Sequence, residues 1–114
     1  MDRREDGVDV RELKEHRERY QILDVREPYE VEAGMIDGSL VIPLNDVLAG
    51  AEQGKLDPDR PIAVVCKMGS RSELAALMLR ARGYEADNVE GGLEAWEAEG
   101  FAFSSADGGP GRVL

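Results

Sequence analysis

Hydrophobic positions in this chain of 114 residues follow two spacings, and the alternation between them predicts the order of elements. Short, mostly apolar runs stand at 20–25, 40–42 and 61–65, rich in Val, Ile and Leu and too short for ordinary helices, and a last short strand is expected over 86–89. Between them apolar residues recur at the helical period, most clearly over 73–82, where Leu and Ala repeat on one face. The punctuation agrees with this division. Asp9, with Glu12 three residues later, reads as a capping signature for a helix running to about residue 19, and Val8 is placed to pack on Leu13. Pro28 suits the first turn of a helix over 28–33 that Gly34 ends, and Asn45 is placed to cap a helix over 46–53 after Pro43 stops the second strand. Gly83 stops the helix over 73–82, and a last helix is expected over 92–99.

Strands that alternate with helices and lack a polar face predict an α/β fold with a central, mostly parallel sheet flanked by helices on both faces. Ligands of such sheets bind beyond the carboxyl ends of the strands. The length suits one domain, expected over 8–103, with a flexible N-terminal segment at 1–7 and a flexible tail at 104–114 that contains Gly108-Gly109-Pro110-Gly111.

Charge narrows the partners. Fourteen basic and 24 acidic side chains leave a net charge of −10, which repels nucleic acid and anionic membranes at long range. No apolar stretch reaches the roughly 18 residues needed to span a bilayer, and the first residues lack the apolar core of a signal peptide. One cysteine makes no internal disulfide, and one cysteine with one histidine, His16 on a charged helix, offers no metal set. A reducing compartment, the cytoplasm, is expected, and neither a metal nor a cofactor.

The richest chemistry lies in Cys66-Lys67-Met68-Gly69-Ser70-Arg71-Ser72, which joins an apolar strand to a helix. A sharp turn there aims several backbone N–H groups at one spot, and the first N–H groups of the helix have no partner within it. Cys66 would sit in that positive cradle beside Lys67 and Arg71, an environment that favours the nucleophilic thiolate over the inert buried cysteine that Val64-Val65 would otherwise suggest. Gly69 serves the turn and lets a substrate approach the backbone. Arg71 opposes the helix dipole, so it is expected to face an anionic ligand or a carboxylate such as Asp24 or Glu27. Ser70 and Ser72 can bond to the sulfur or cap the helix, and for Ser72 the cap is expected. Lys67 lies at the rim and Met68 over the mouth. Asp24 and Arg26 are read as a structural ion pair near the site, because a carboxylate beside the sulfur would disfavour the thiolate.

Taken together, Asp24-Val25-Arg26-Glu27, Gly34-Met35-Ile36-Asp37-Gly38, the Cys66 to Ser72 run and Asn88-Val89-Glu90-Gly91-Gly92-Leu93-Glu94-Ala95-Trp96 give a chain that resembles a single-domain rhodanese-like sulfurtransferase. The resemblance implies a three-layer rhodanese-like fold and a cysteine loop whose N–H groups surround the sulfur. It implies that Cys66 takes a sulfane sulfur from thiosulfate or a related persulfide, holds it as a persulfide and passes it to cyanide or a thiol. Lys67, Met68, Gly69, Ser70, Arg71 and Ser72 would bind the substrate, with Arg71 able to hold the donor's oxyanion part. Met35 stands where many relatives carry His, a departure that bears on packing.

Two other readings stay open. One is a sulfur-relay or non-catalytic binding module that acts with a partner protein. The other is a cysteine-dependent phosphatase or arsenate reductase, which needs a wider loop; here four residues, Lys67 to Ser70, separate Cys66 from Arg71.

Overall fold

A computed structural model describes residues 7–114. Residues 1–6 of the expected flexible N-terminal segment lie outside the described residues. The elements run α1 (Val10–Glu15), β1 (Gln21–Asp24), α2 (Pro28–Ala33), β2 (Leu40–Val41), α3 (Leu44–Leu48), β3 (Ile62–Val65), α4 (Ser70–Ala81), β4 (Ala86–Asn88) and α5 (Gly92–Ala98). The strands form one parallel sheet in the order β2-β1-β3-β4, with Leu23 opposite Leu40 and Val64, and Val64 opposite Asn88.

Side chains on a strand alternate between faces, so the apolar runs divide into two cores. Leu23, Ile62 and Val64 pack with Val47 of α3 and with Ala75, Ala76 and Leu79 of α4. Ile22, Ala63 and Val65 pack on the other face with Val10 and Leu13 of α1 and with Leu93 and Trp96 of α5. All four residues of β3 are buried. Covering both faces is what allows strands without a polar side, and the parallel pairing of β1 with β3, Asp24 opposite Val65, brings their carboxyl ends together at one rim. Trp96 anchors the second core: its ring meets Phe101 edge-on at 5.0 Å and its Nε1 donates to the Ala102 carbonyl at 2.9 Å. No helix among the described residues is long and apolar enough to cross a membrane.

Three boundaries differ from the sequence expectation. α1 ends at Glu15, and the residues to Arg19 form a separate 3-10 turn. α3 starts one residue before Asn45, with Pro43 at its N-cap, and stops at Leu48. The Pro43 carbonyl accepts from Asp46 and Val47, so the backbone begins the helix without a side-chain cap. α4 begins at Ser70, as early as the turn at Gly69 permits, because Gly69 holds φ at +116°. Along the segment 104–114, the Ser104 and Met35 main chains exchange hydrogen bonds at 2.9 and 3.0 Å, and Ala106 and Arg112 donate to the carbonyls of Glu32 and Ala33. Met35 therefore contributes its backbone to a bridge with the chain's last segment.

The expected ion pair of Asp24 and Arg26 is present and fully buried. Arg26 Nε and Nη2 fork onto the carboxylate at 3.0 and 2.7 Å, and its remaining donors reach the carbonyls of Glu30 at 3.3 Å and Gly34 at 2.7 Å. One guanidinium thus ties the end of β1 to the middle of α2 and to its C-cap. Arg26→Ala leaves a buried carboxylate without its cation and is expected to lower stability by about 3–5 kcal/mol in urea unfolding, whereas a loss below about 1 kcal/mol would rank the pair with exposed bridges.

Candidate active site

The carboxyl end of β3 delivers Cys66, and the chain turns at once into α4. Cys66 is only 1% exposed, yet its sulfur is not in a purely apolar pocket. Sγ accepts from the backbone N–H of Gly69 at 3.1 Å and of Ser72 at 3.3 Å. Two main-chain dipoles aimed at one sulfur stabilise negative charge on it. The Ser72 hydroxyl lies 3.2 Å from Sγ and is short-bonded to Asn88 Oδ1. Ser72 has a single hydroxyl hydrogen. While that hydrogen points at Asn88, the thiol donates to Ser72 Oγ; once the thiol is ionised, the hydroxyl can turn from Asn88 to the sulfur.

Ser72 is therefore a partner of the sulfur rather than the helix cap expected from its position; Gly69 occupies the N-cap. Ser72 sits in the third position of the helix and is buried, and its contact with Asn88 follows from the parallel pairing of β3 and β4. Among the other loop residues, Met68 is 62% exposed, Ser70 is exposed and Lys67 is half-buried, so these side chains lie at the rim.

Arg71 meets a carboxylate, but neither Asp24 nor Glu27. Its Nη1 and Nη2 fork onto Glu30 Oε1 and Oε2 at 2.7 and 2.9 Å. Glu30 is nearly buried and is fixed by α2: its side chain also accepts from the Glu27 N–H at 3.1 Å in a capping box. The Arg71 hydrogen bonds hold the Glu30 carboxyl below the usual carboxylate range against the opposing effect of burial. The same pairing raises Arg71 above its ordinary value, with smaller contributions from Cys66 and Tyr29, which lie close enough for Arg71 to sense their charge.

The loop is held from behind by α5. Leu93 N–H donates to the Cys66 carbonyl at 2.8 Å, and Glu94 N–H to the Lys67 carbonyl at 3.0 Å. The early amides of α5 thus find partners in the cysteine turn itself. This approach needs Gly92, at φ +60°, because a Cβ there would lie 2.6 Å from both carbonyl oxygens. Glu30, Asn88 and Gly92 complete the site without having been assigned a role from sequence. Glu30 had a signal in the capping spacing Glu27-x-x-Glu30, and Asn88 and Gly92 lie in a motif already singled out.

The arrangement is a buried thiol with fixed N–H donors and, among the described residues, no carboxylate bonded to it. The family described as the rhodanese-like domain matches residues 9–99. YtwF of Bacillus subtilis (strain 168), which carries a provisional sulfurtransferase name, is 37% identical over 90 residues, covering 79% of this chain and 85% of that protein. A sulfurtransferase of Allochromatium vinosum is 31% identical over 88 residues, 76% of this chain and 80% of that one. Among solved structures, a rhodanese-related protein from Thermoplasma volcanium superposes with a TM-score of 0.78 at 36% identity, covering 85% of this chain and 95% of that one.

Two outcomes follow from this geometry. Glu30 has a depressed value in the fold, so its stabilising contribution is present above the unfolded glutamate value and is lost as pH falls through the folded one. The wild-type protein is expected to lose more stability than Glu30→Gln between about pH 5 and pH 3, measured by urea unfolding across that range. Gly92→Ala is expected to lower stability by about 1–3 kcal/mol and to change the alkylation rate of Cys66. Gly83→Ala, with a similar φ of +96° but open space around its Cβ, separates backbone strain from collision and should leave that rate alone.

Proposed function

The chain belongs to the rhodanese-like domain family, and from that premise we propose that it is a sulfurtransferase that carries a sulfane sulfur on Cys66. The donor is thiosulfate or a related persulfide and the acceptor is cyanide or a thiol. The observation that carries this reading is the pair of N–H groups, from Gly69 and Ser72, directed at Cys66 Sγ.

The transfer consists of two displacements at sulfur. The Cys66 thiolate attacks the outer sulfur of the donor; an Sγ–S bond forms, the donor's S–S bond breaks, and its electron pair leaves on sulfite or on a thiolate. An acceptor then attacks the outer sulfur of the Cys66 persulfide, and the Sγ–S bond breaks with its electron pair returning to Cys66. Negative charge stands on Sγ at the start and the end of this cycle. The amides of Gly69 and Ser72 stabilise it there, with the Ser72 hydroxyl able to join them, in the manner of an oxyanion hole. No step requires a cofactor, and the unit proposed to carry the activity is 8–103. A working thiol is best kept in a reducing compartment, and the proposed location is the cytoplasm.

The phosphatase reading loses support from the same geometry. A tetrahedral oxyanion needs a wide loop and a free guanidinium, whereas Arg71 is forked onto Glu30. Treatment with a sulfane donor is expected to add the mass of one sulfur atom to the intact protein, with no gain in Cys66→Ala. Steady-state rates should follow a ping-pong pattern. Hydrolysis of an aryl phosphate without sulfur loading would overturn the proposal.

A further inference from the structure

The charge around the mouth of the cysteine loop distinguishes between the two kinds of donor. In thiosulfate the sulfane atom is attached to a sulfonate group and the molecule is a dianion; in an organic hydropersulfide it is attached to a carbon-bearing sulfur. With Cys66 only 1% exposed, a donor offers its sulfane atom to the loop and rests the group behind it on the rim. Both terminal nitrogens of Arg71 are held by a carboxylate that is itself locked into α2, so the pair presents no net charge to a ligand. α4 and α5, which begin at this rim, place Glu73 and Glu94 in their first turns, both exposed. Lys67, half-buried, is the cation of the Cys66–Ser72 run that Glu30 does not engage. Two large apolar side chains are exposed at the same end, Met68 at 62% and Tyr29 at 66%, the latter within electrostatic reach of Arg71. Such a rim repels a sulfonate and accepts a carbon skeleton.

We propose that the physiological donor class is an organic hydropersulfide whose carbon portion is neutral or cationic, and that thiosulfate is a poor donor for this chain. The inference rests on the Cys66 persulfide reading and refines its donor. The loading step is Cys66–S⁻ + R–S–SH → Cys66–S–SH + R–S⁻. The Sγ–S bond forms, the donor's S–S bond breaks with its electron pair going to R–S, and the proton stays on the transferred sulfur. Glu30 is a positioning residue here: it acts on donor choice through Arg71.

The test is single-turnover loading of the full chain, read as the one-sulfur mass gain on Cys66, with thiosulfate and with cysteamine hydropersulfide. Each rate is divided by that donor's rate with free glutathione to remove intrinsic reactivity. The hydropersulfide is expected to load about tenfold or more faster on this scale. Added salt should speed thiosulfate loading, because it screens a repulsion, and should not speed the hydropersulfide. Glu30→Gln, which frees charge on Arg71, should raise the thiosulfate-to-hydropersulfide ratio several-fold, whereas a purely structural role would lower both rates together. Normalised thiosulfate loading equal to or faster than hydropersulfide loading, or slowed by salt, overturns the donor assignment and leaves sulfur transfer standing. Loading by neither donor overturns the sulfur-transfer reading and this proposal with it.

Discussion

The need to satisfy one buried guanidinium organises this molecule around its site. Arg26 is completely enclosed, and an enclosed cation must find a carboxylate and enough acceptors for its donors. It finds Asp24 at the end of β1 and the carbonyls of Glu30 and Gly34 on α2. That fixes how α2 leaves the sheet, and the placement of α2 decides where the Glu30 carboxylate lies. Glu30 in turn fixes Arg71 at the start of α4. The series runs from strand to helix to cysteine turn through charged groups with matched partners, and no buried side-chain nitrogen or oxygen among the described residues is left without a hydrogen bond.

Around the sulfur the division of labour is different. Charge stabilisation comes from main-chain N–H groups, which have no side-chain rotamers to order and cannot lose their polarity by titration. Of the two cations in the loop, Arg71 is committed to Glu30 and Lys67 lies at the rim. Burial of Cys66 among Val64, Ala75 and Ala76 keeps bulk water from the sulfur, which strengthens the effect of the two amides.

Much of this was legible in the sequence, for identifiable reasons. Runs such as Ile62-Ala63-Val64-Val65 have no polar interruption, which only a strand covered on both faces tolerates, so the sheet and its layers could be read directly. Cys66 stood out because a lone thiol occupied a strand-to-helix turn, and Asp24 with Arg26 because the segment bordered the same cleft. The partner of Arg71 was not legible, since Glu30 lies 41 residues away and its capping role is a local pattern that conceals a distant one. Ser72 misled for a similar reason: serine near a helix start usually caps, and only the register of β3 against β4 shows that Asn88 draws its hydroxyl inward. The start of α3 was displaced because Pro43 could be read as a stop, while its carbonyl in fact opens the helix.

The carbonyls of Cys66 and Lys67 are clamped by the first turn of α5, with Gly92 leaving room for the approach. A peptide plane whose oxygen is clamped cannot flip, so the orientation of the turn is settled when the chain folds and not when a reactant arrives. The donors around the sulfur therefore need no reorganisation when a ligand binds. The same clamp couples two stretches far apart in sequence: a change that shifts the peptide planes of Cys66 or Lys67 is felt at the start of α5, and a side chain added at Gly92 is felt at the turn.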